Sequence, residues 1–400
     1  MADPSLILDR RTEASIGPGL HAIIIGVSDY TNLTAADDIP GEGLAALQKL
    51  ESSALSGWRF AEKLKTLSDE KRLRRPLKTL RILLAPSQTE LDAEPGLAAA
   101  GGDKPLCASI RNAIREWRKD VGLSKDEQSL FHFSGHGIRR SLEETLLLAS
   151  DFDPNAEPLL ENAFQLRNIY NGMVPSPKFP EIGREQFYFV DACRDKPDKL
   201  DTLDDTTTPK VFDAVLGGFD DRKAPIFFAT KTGGSAAGVP GQTTYFTAAL
   251  LWALDNGAVG QVDLPDIDGT IWPVTAQSLK IGVEAANQLF DGRIELTGLV
   301  ADPMLCFRHN PPKLTMALAI KPDHLGGKVK RLALRDVNTD DEFEVPPPEQ
   351  AKPWSREIDA GLYRVLVDGH PGSFPTVKTL AQFFSIQTKM PWGVTIGDKP

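Results

Sequence analysis

The sequence predicts an α/β protein. Its main body is a three-layer α/β/α sandwich around a mostly parallel sheet, followed by a small all-β, sandwich-like domain. Three observations lead there. Short, nearly continuous apolar runs alternate with helical patterns as far as residue 310. Polar residues follow several of these runs, as they do where parallel strands exit at one edge. Beyond residue 310 the helical pattern gives way to short alternating segments broken by turns and prolines.

Six runs read as buried strands: HAIIIGV (21–27), TLRILLA (79–85), QSLFHFS (128–134), ETLLLAS (144–150), EQFYFVDA (185–192) and APIFFATK (224–231). Helical patterns lie between or after them, over 44–67, 107–121, 244–257 and 274–290. Gly257 closes the third as a C-cap. After HNPPK come LTMALAIK, KVKRLALRDV, EFEV and GLYRVLVDG, with VKTLAQFF (377–384) as the one remaining helix candidate. The sequence therefore divides into a domain over 1–312 and an accessory β domain over 313–400. Residues 194–223, polar and rich in turn formers, form a mobile linker within the first.

Composition excludes several classes. The chain has 400 residues, with 41% hydrophobic and 25% charged, the balance of a globular protein. The net charge of −10 and the lack of a basic cluster argue against a nucleic-acid partner. The first twenty residues do not read as a secretory signal, and no window approaches the roughly 20 apolar residues of a membrane span. Cys107, Cys193 and Cys306 are few, odd in number and far apart, which points to a reducing, cytoplasmic setting.

The chemistry gathers at strand ends. Asp29 follows the first run, His136 the third, and Asp191 and Cys193 end the fifth. His136 stands between Gly135 and Gly137, which let a substrate approach the backbone. Cys193, in FYFVDACRD, occupies a polar strand exit. There a thiol becomes a nucleophile if a histidine takes its proton. Cys107 lies among apolar helical residues and Cys306 in an apolar strand, so both read as structural. His132 is four residues from His136, but on a strand and not a helix face. A metal-dependent hydrolase is therefore disfavoured, and no metal site is expected.

These residues carry a family likeness. HAIIIGVSDY, LESSALSGWRFAEKL, FHFSGHG, FYFVDACR and APIFFATKTGGSAAGVPGQTTYFTAALLWAL, between residues 18 and 310, resemble successive segments of the caspase–metacaspase clan of cysteine peptidases. His136 precedes Cys193 by 57 residues, near the roughly 50 of caspases. The resemblance implies a caspase-like fold and a Cys193–His136 dyad. It also implies an oxyanion hole from the amides of Gly137 and Cys193.

The resemblance extends to specificity. Caspases proper place arginines in the primary pocket and glutamine two positions before the cysteine. This chain has Asp191 there, as metacaspases do, and no arginine after the first strand. The implied function is a cysteine endopeptidase cleaving after Arg or Lys, with Asp191 and secondarily Asp29 in the pocket. Latency until activation by a partner, a ligand or self-processing is the accompanying expectation, with Lys196, Lys199, Lys210, Arg222 and Lys223 as processing points. No cofactor is required, although calcium is a candidate through the resemblance and the aspartates of the linker. A protein or peptide is the expected substrate and a regulatory protein the candidate partner. The rival readings are an interaction module without turnover, and a peptidase cleaving after Asp.

Overall fold

The computed structural model describes residues 3–13, 17–35, 38, 43–141, 144–193, 208–213, 219–229, 238–257, 262–264, 266–267, 270–290, 295–297, 302–321, 327–337, 339–347, 354–383 and 392–395. In chain order the first elements are β1 (Leu6–Asp9), β2 (Leu20–Val27), α1 (Ser53–Asp69), β3 (Leu77–Ala85), α2 (Gln88–Ala93), α3 (Cys107–Val121) and β4 (Gln128–Gly135). There follow β5 (Gly137–Ser141), β6 (Glu144–Leu148), β7 (Ala163–Gln165), α4 (Leu166–Gly172), β8 (Glu185–Ala192), β9 (Ile226–Phe228) and α5 (Tyr245–Asn256). Then come β10 (Val262–Asp263), β11 (Thr270–Thr275), α6 (Ala276–Phe290), β12 (Glu295–Thr297) and β13 (Met304–Arg308).

The chain divides into two compact units. One holds Met1–Leu251 and Ala286–Cys306, the other Trp252–Ala285 and Phe307–Pro400. This differs from a single cut near 312, because the second unit also takes Trp252–Ala285.

The first unit is built on a sheet of order β1-β3-β2-β4-β8-β9-β12. Its inner pairs β3–β2, β2–β4, β4–β8 and β8–β9 are parallel, and the edge strands β1 and β12 are antiparallel. All eight residues of β2 and of β4 are buried, which is why these strands read as continuous apolar runs. Side-chain alternation assigns the layers. Ile23, Ile25, Phe131 and Phe133 join a core with Ile110, Ile114 and Trp117 of α3. On the opposite face, Phe60 of α1 stacks on His132 at 4.8 Å and meets Phe189 edge-on at 5.5 Å.

ETLLLAS does form a strand, but outside the main sheet: β6 sits between β5 and β7 in a small antiparallel sheet. The helical pattern over 44–67 shortens to α1, which begins only at Ser53. Its start is capped by residues distant in sequence. Ser28 Oγ accepts from the amides of Ser53 and Ala54 at 3.0 Å each, and Glu90 Oε1 accepts from Leu55 N at 2.9 Å. Ser28 Oγ donates in turn to Glu90 Oε1. Three of the amides that a helix leaves unpaired at its first turn are thereby satisfied. The strand must come close for this. A Cβ on Gly26 would stand 2.8 Å from Ala54 Cα and from Ser53 O.

The second unit is largely β. The strand β14 (Lys313–Lys321) pairs with β17 (Trp354–Asp359) and β20 (Trp392–Thr395). A second sheet has the order β16 (Glu342–Glu344), β15 (Val329–Asp336), β18 (Gly361–Gly369) and β19 (Val377–Phe383). The helix expected over 377–384 is thus corrected to a strand. Val377 to Phe383 pair antiparallel with β18, which supplies the partners that this short segment lacks alone. No described helix is long and apolar enough to cross a membrane.

Ser28→Ala would leave two buried helix amides without their acceptor. It is expected to cost about 2 kcal/mol, read as a lower urea midpoint at unchanged m.

Candidate active site

The parallel register of two strands assembles the site. Gly135 of β4 pairs with Ala192 of β8, so the next residues along the two strands are His136 and Cys193. Neighbouring strands lie about 4.8 Å apart. Both residues line one cavity of about 280 Å³, together with Lys49, Ser53, Asp191 and Thr244.

The two glycines of SGHG have separate steric reasons. A Cβ on Gly135 would stand 2.8 Å from the Tyr30 hydroxyl. That hydroxyl accepts from the His136 backbone N–H at 2.7 Å, and the two rings lie 4.9 Å apart. A Cβ on Gly137 would stand 2.6 Å from the Cys193 carbonyl oxygen and 2.8 Å from Ala192 Cβ. Glycine lets Tyr30 close on one side of the histidine and the cysteine backbone on the other.

The imidazole is oriented by a backbone group. His136 Nε2 lies 2.6 Å from the Gln48 carbonyl oxygen. A carbonyl only accepts, so Nε2 carries the proton and Nδ1 keeps its lone pair. Burial pushes the imidazole down to about 4, with the Gln48 bond opposing. The ring is therefore neutral at pH 7 and able to take a proton.

Asp191 is 2% exposed. Its Oδ2 accepts from the hydroxyls of Thr244, Thr247 (3.0 Å) and Ser134 (3.3 Å). Its Oδ1 is buried and has no hydrogen-bond partner among the described residues. Burial raises the carboxyl to about 6, and the three hydroxyls pull it down. Thr244 Oγ1 also accepts from Thr247 N at 3.2 Å, so Asp191 sits at the amino end of α5. The partial positive charge of that end favours the ionised form.

The remaining sequence candidates fall as follows. Asp29 is half-exposed and pairs with Lys49 at 2.7 Å; Lys49 lines the cavity and Asp29 does not. Gly137, an oxyanion candidate with Cys193, lies against the Cys193 backbone. Lys210 is exposed, while Lys196 and Lys199 lie outside the described residues. His132 is fully buried against Phe60, where burial alone pushes it down to about 3. Cys107 and Cys306 are buried thiols. Among the described residues no group of three His, Cys, Asp or Glu could hold a metal, and the aspartates 195–205 lie outside them.

Sequence reasoning missed Tyr30, Gln48, Ser134, Thr244 and Thr247. The position of Ser134, two residues before the histidine as Asp191 is two before the cysteine, was the available signal, because β4 and β8 pair in register.

A thiol and a neutral imidazole at adjoining strand ends of a parallel sheet, with a buried carboxylate in the same cavity, define a caspase-like α/β protein. The chain belongs to the caspase-domain family, whose model matches residues 57–267. It is 28% identical over 156 residues to an uncharacterized protein of Sinorhizobium fredii, covering 38% of this chain and 42% of that protein. It is 32% identical over 128 residues to a probable protease of a Desulfuromonadales bacterium, covering 30% of this chain and 14% of the relative. The chain thus spans less than half the length of either curated relative. A crystal structure of a Geobacter sulfurreducens protein aligns over 71% of this chain and 95% of its own, at 12% identity and a TM-score of 0.40, too low to bear on the fold.

The His136 ring is expected to titrate near pH 4, well below the ~6.5 of a solvated histidine, when followed by NMR of the ring-labelled protein. Because the unfolded state takes up this proton first, stability contributed by neutral His136 falls as pH drops from about 6.5 towards 4.

Proposed function

We propose that the chain is a cysteine endopeptidase using Cys193 and His136, and that it cleaves after arginine or lysine. One observation carries the reading: register delivers a thiol and a neutral imidazole to one cavity whose buried carboxylate keeps an unspent oxygen. In this mechanism the Cys193 sulfur attacks the scissile carbonyl carbon as Nδ1 of His136 takes the thiol proton. The proton then passes to the leaving amine, and water hydrolyses the thioester. The amides of Gly137 and Cys193 hold the oxyanion. A guanidinium or ammonium entering beside Asp191 would engage Oδ1 and favour the ionised carboxylate.

Cleavage after Asp is the weaker reading. Lys49 is the one cation among the described residues lining the cavity, and Asp29 already pairs with it. Latency fits the arrangement of Lys210. The amide of the following Val211 donates to Asn168 Oδ1 at 2.9 Å, so processing at the Lys210–Val211 bond requires release of that contact.

The test is turnover of fluorogenic peptides ending in Arg, Lys or Asp. Cys193→Ala is expected to abolish turnover of all of them. Asp191→Asn is expected to lower kcat/KM on Arg and Lys peptides about 100-fold or more, the size of a lost buried charge pair. Asp-directed cleavage would overturn the specificity, and activity in Cys193→Ala the mechanism. In the wild-type enzyme, kcat/KM on Arg peptides should fall as pH drops through about 6, where Asp191 takes up its proton.

A further inference from the structure

A second cavity, of about 530 Å³, shares no lining residue with the one holding His136 and Cys193. Its walls come from α3, from residues 176–179 and from residues 211–213. Arg118 crosses it. The guanidinium carbon lies 4.6 Å from the ring centres of both Phe179 and Phe212, so two aromatic faces sandwich the cation. Its Nε is buried and without a hydrogen-bond partner among the described residues. Its one side-chain hydrogen bond among the described residues is a long one of 3.4 Å from Nη2 to Ser176 Oγ.

The surrounding charge is unbalanced. Arg115 donates Nε to the Val211 carbonyl, and no described carboxylate pairs with Arg115, Arg118 or Lys178. Glu116, which also lines the cavity, is taken by Lys119 at 2.6 Å. Asp213 is the other lining acid, and it is exposed. Three cations without carboxylates thus converge on a cavity of small-molecule size, in a chain of net charge −10.

We propose that this cavity binds a small phosphorylated molecule, whose anionic oxygens engage Arg115, Arg118 and Lys178. A phosphate carries about two negative charges at neutral pH and accepts a guanidinium edge in bidentate fashion, whereas a lone carboxylate would leave two of the cations unanswered. The site also bears on the segment between Cys193 and β9. Val211 and Phe212 donate to Asn168 Oδ1, Asn168 Nδ2 donates back to the Phe212 carbonyl, and the Phe212 ring forms a wall. A bound phosphate holds residues 211–213 against α3.

Calorimetry on the whole chain, carrying Cys193→Ala to prevent self-cleavage, tests this with inorganic pyrophosphate and with ATP as probes. At least one is expected to bind saturably. Lys178→Ala and Arg118→Lys should each weaken it about tenfold or more. Lys178 is exposed, so its variant folds. Tryptic nicking after Lys210 should slow with the binding probe present, and not in Lys178→Ala. No saturable binding by either probe, binding that ignores Lys178→Ala, or nicking at Lys210 unchanged by a bound probe would each overturn the proposal.

Discussion

The pairing of Gly135 with Ala192 is the constraint on which the candidate site depends. A parallel sheet sends its strand ends to one edge, but only a fixed register puts two chosen residues side by side. Four neighbours hold this one. β4 and β8 are central strands, flanked by β2 and β9, and their side chains interlock with α3 on one face and α1 on the other. A slip of one residue would turn Phe131 and Phe133 away from Trp117 and bring His132 into their place. The apolar core thereby sets the chemistry at its rim.

The same register decides the electrostatics of Asp191. Strand alternation places it on the face of Phe187 and Phe189, beneath the amino end of α5, with Ser134 of the adjacent strand directly opposite. Three hydroxyls on one oxygen do not offset burial, so the carboxyl stands above its ordinary value. A carboxyl raised by folding stabilises the native state below its unfolded pKa. That contribution is lost as pH rises through about 6. At neutral pH the protein keeps a buried charge at the expense of stability, with one oxygen unspent. Such an arrangement is costly as pure structure, and perturbed groups of this kind cluster at functional sites.

What the sequence made visible follows from locality. Buried parallel strands announce themselves as apolar runs, and SGHG and DACR are contiguous, so the fold class and the candidates His136, Cys193 and Asp191 could be read directly. The Gln48 carbonyl could not. It is a backbone group 88 residues from the ring it orients, and every residue but its position looks alike in that respect. Trans-capping of α1 by Ser28 and Glu90 is hidden for the same reason. ETLLLAS and VKTLAQFF fail differently: local composition suggests an element, while pairing partners decide which sheet, or whether a strand at all.

Among its described residues, the segment between Cys193 and β9 is held at two places by different chemistry. Val211 and Phe212 are bound through their backbone to Asn168, and a Cβ on Gly172 would stand 2.0 Å from the Phe212 ring. Further on, the Arg222 guanidinium lies 4.4 Å over the Tyr170 ring and donates to Gln186 Oε1. Lys223 is bridged to the sheet through Arg184 and Gln186. Arg222 and Lys223, although basic, are therefore built into the fold, since a peptidase requires several residues of extended, unpaired backbone around the bond it cuts. Lys210 differs in having an exposed side chain, with the clamp on Val211 and Phe212 directly after it. Scission there would leave Phe212 and Arg222 both anchored, so the two halves of the sheet would stay joined across the cut. Were Lys210 a processing point, the clamp around Asn168 and Arg118 would govern access to that bond without touching the register that assembles His136 and Cys193.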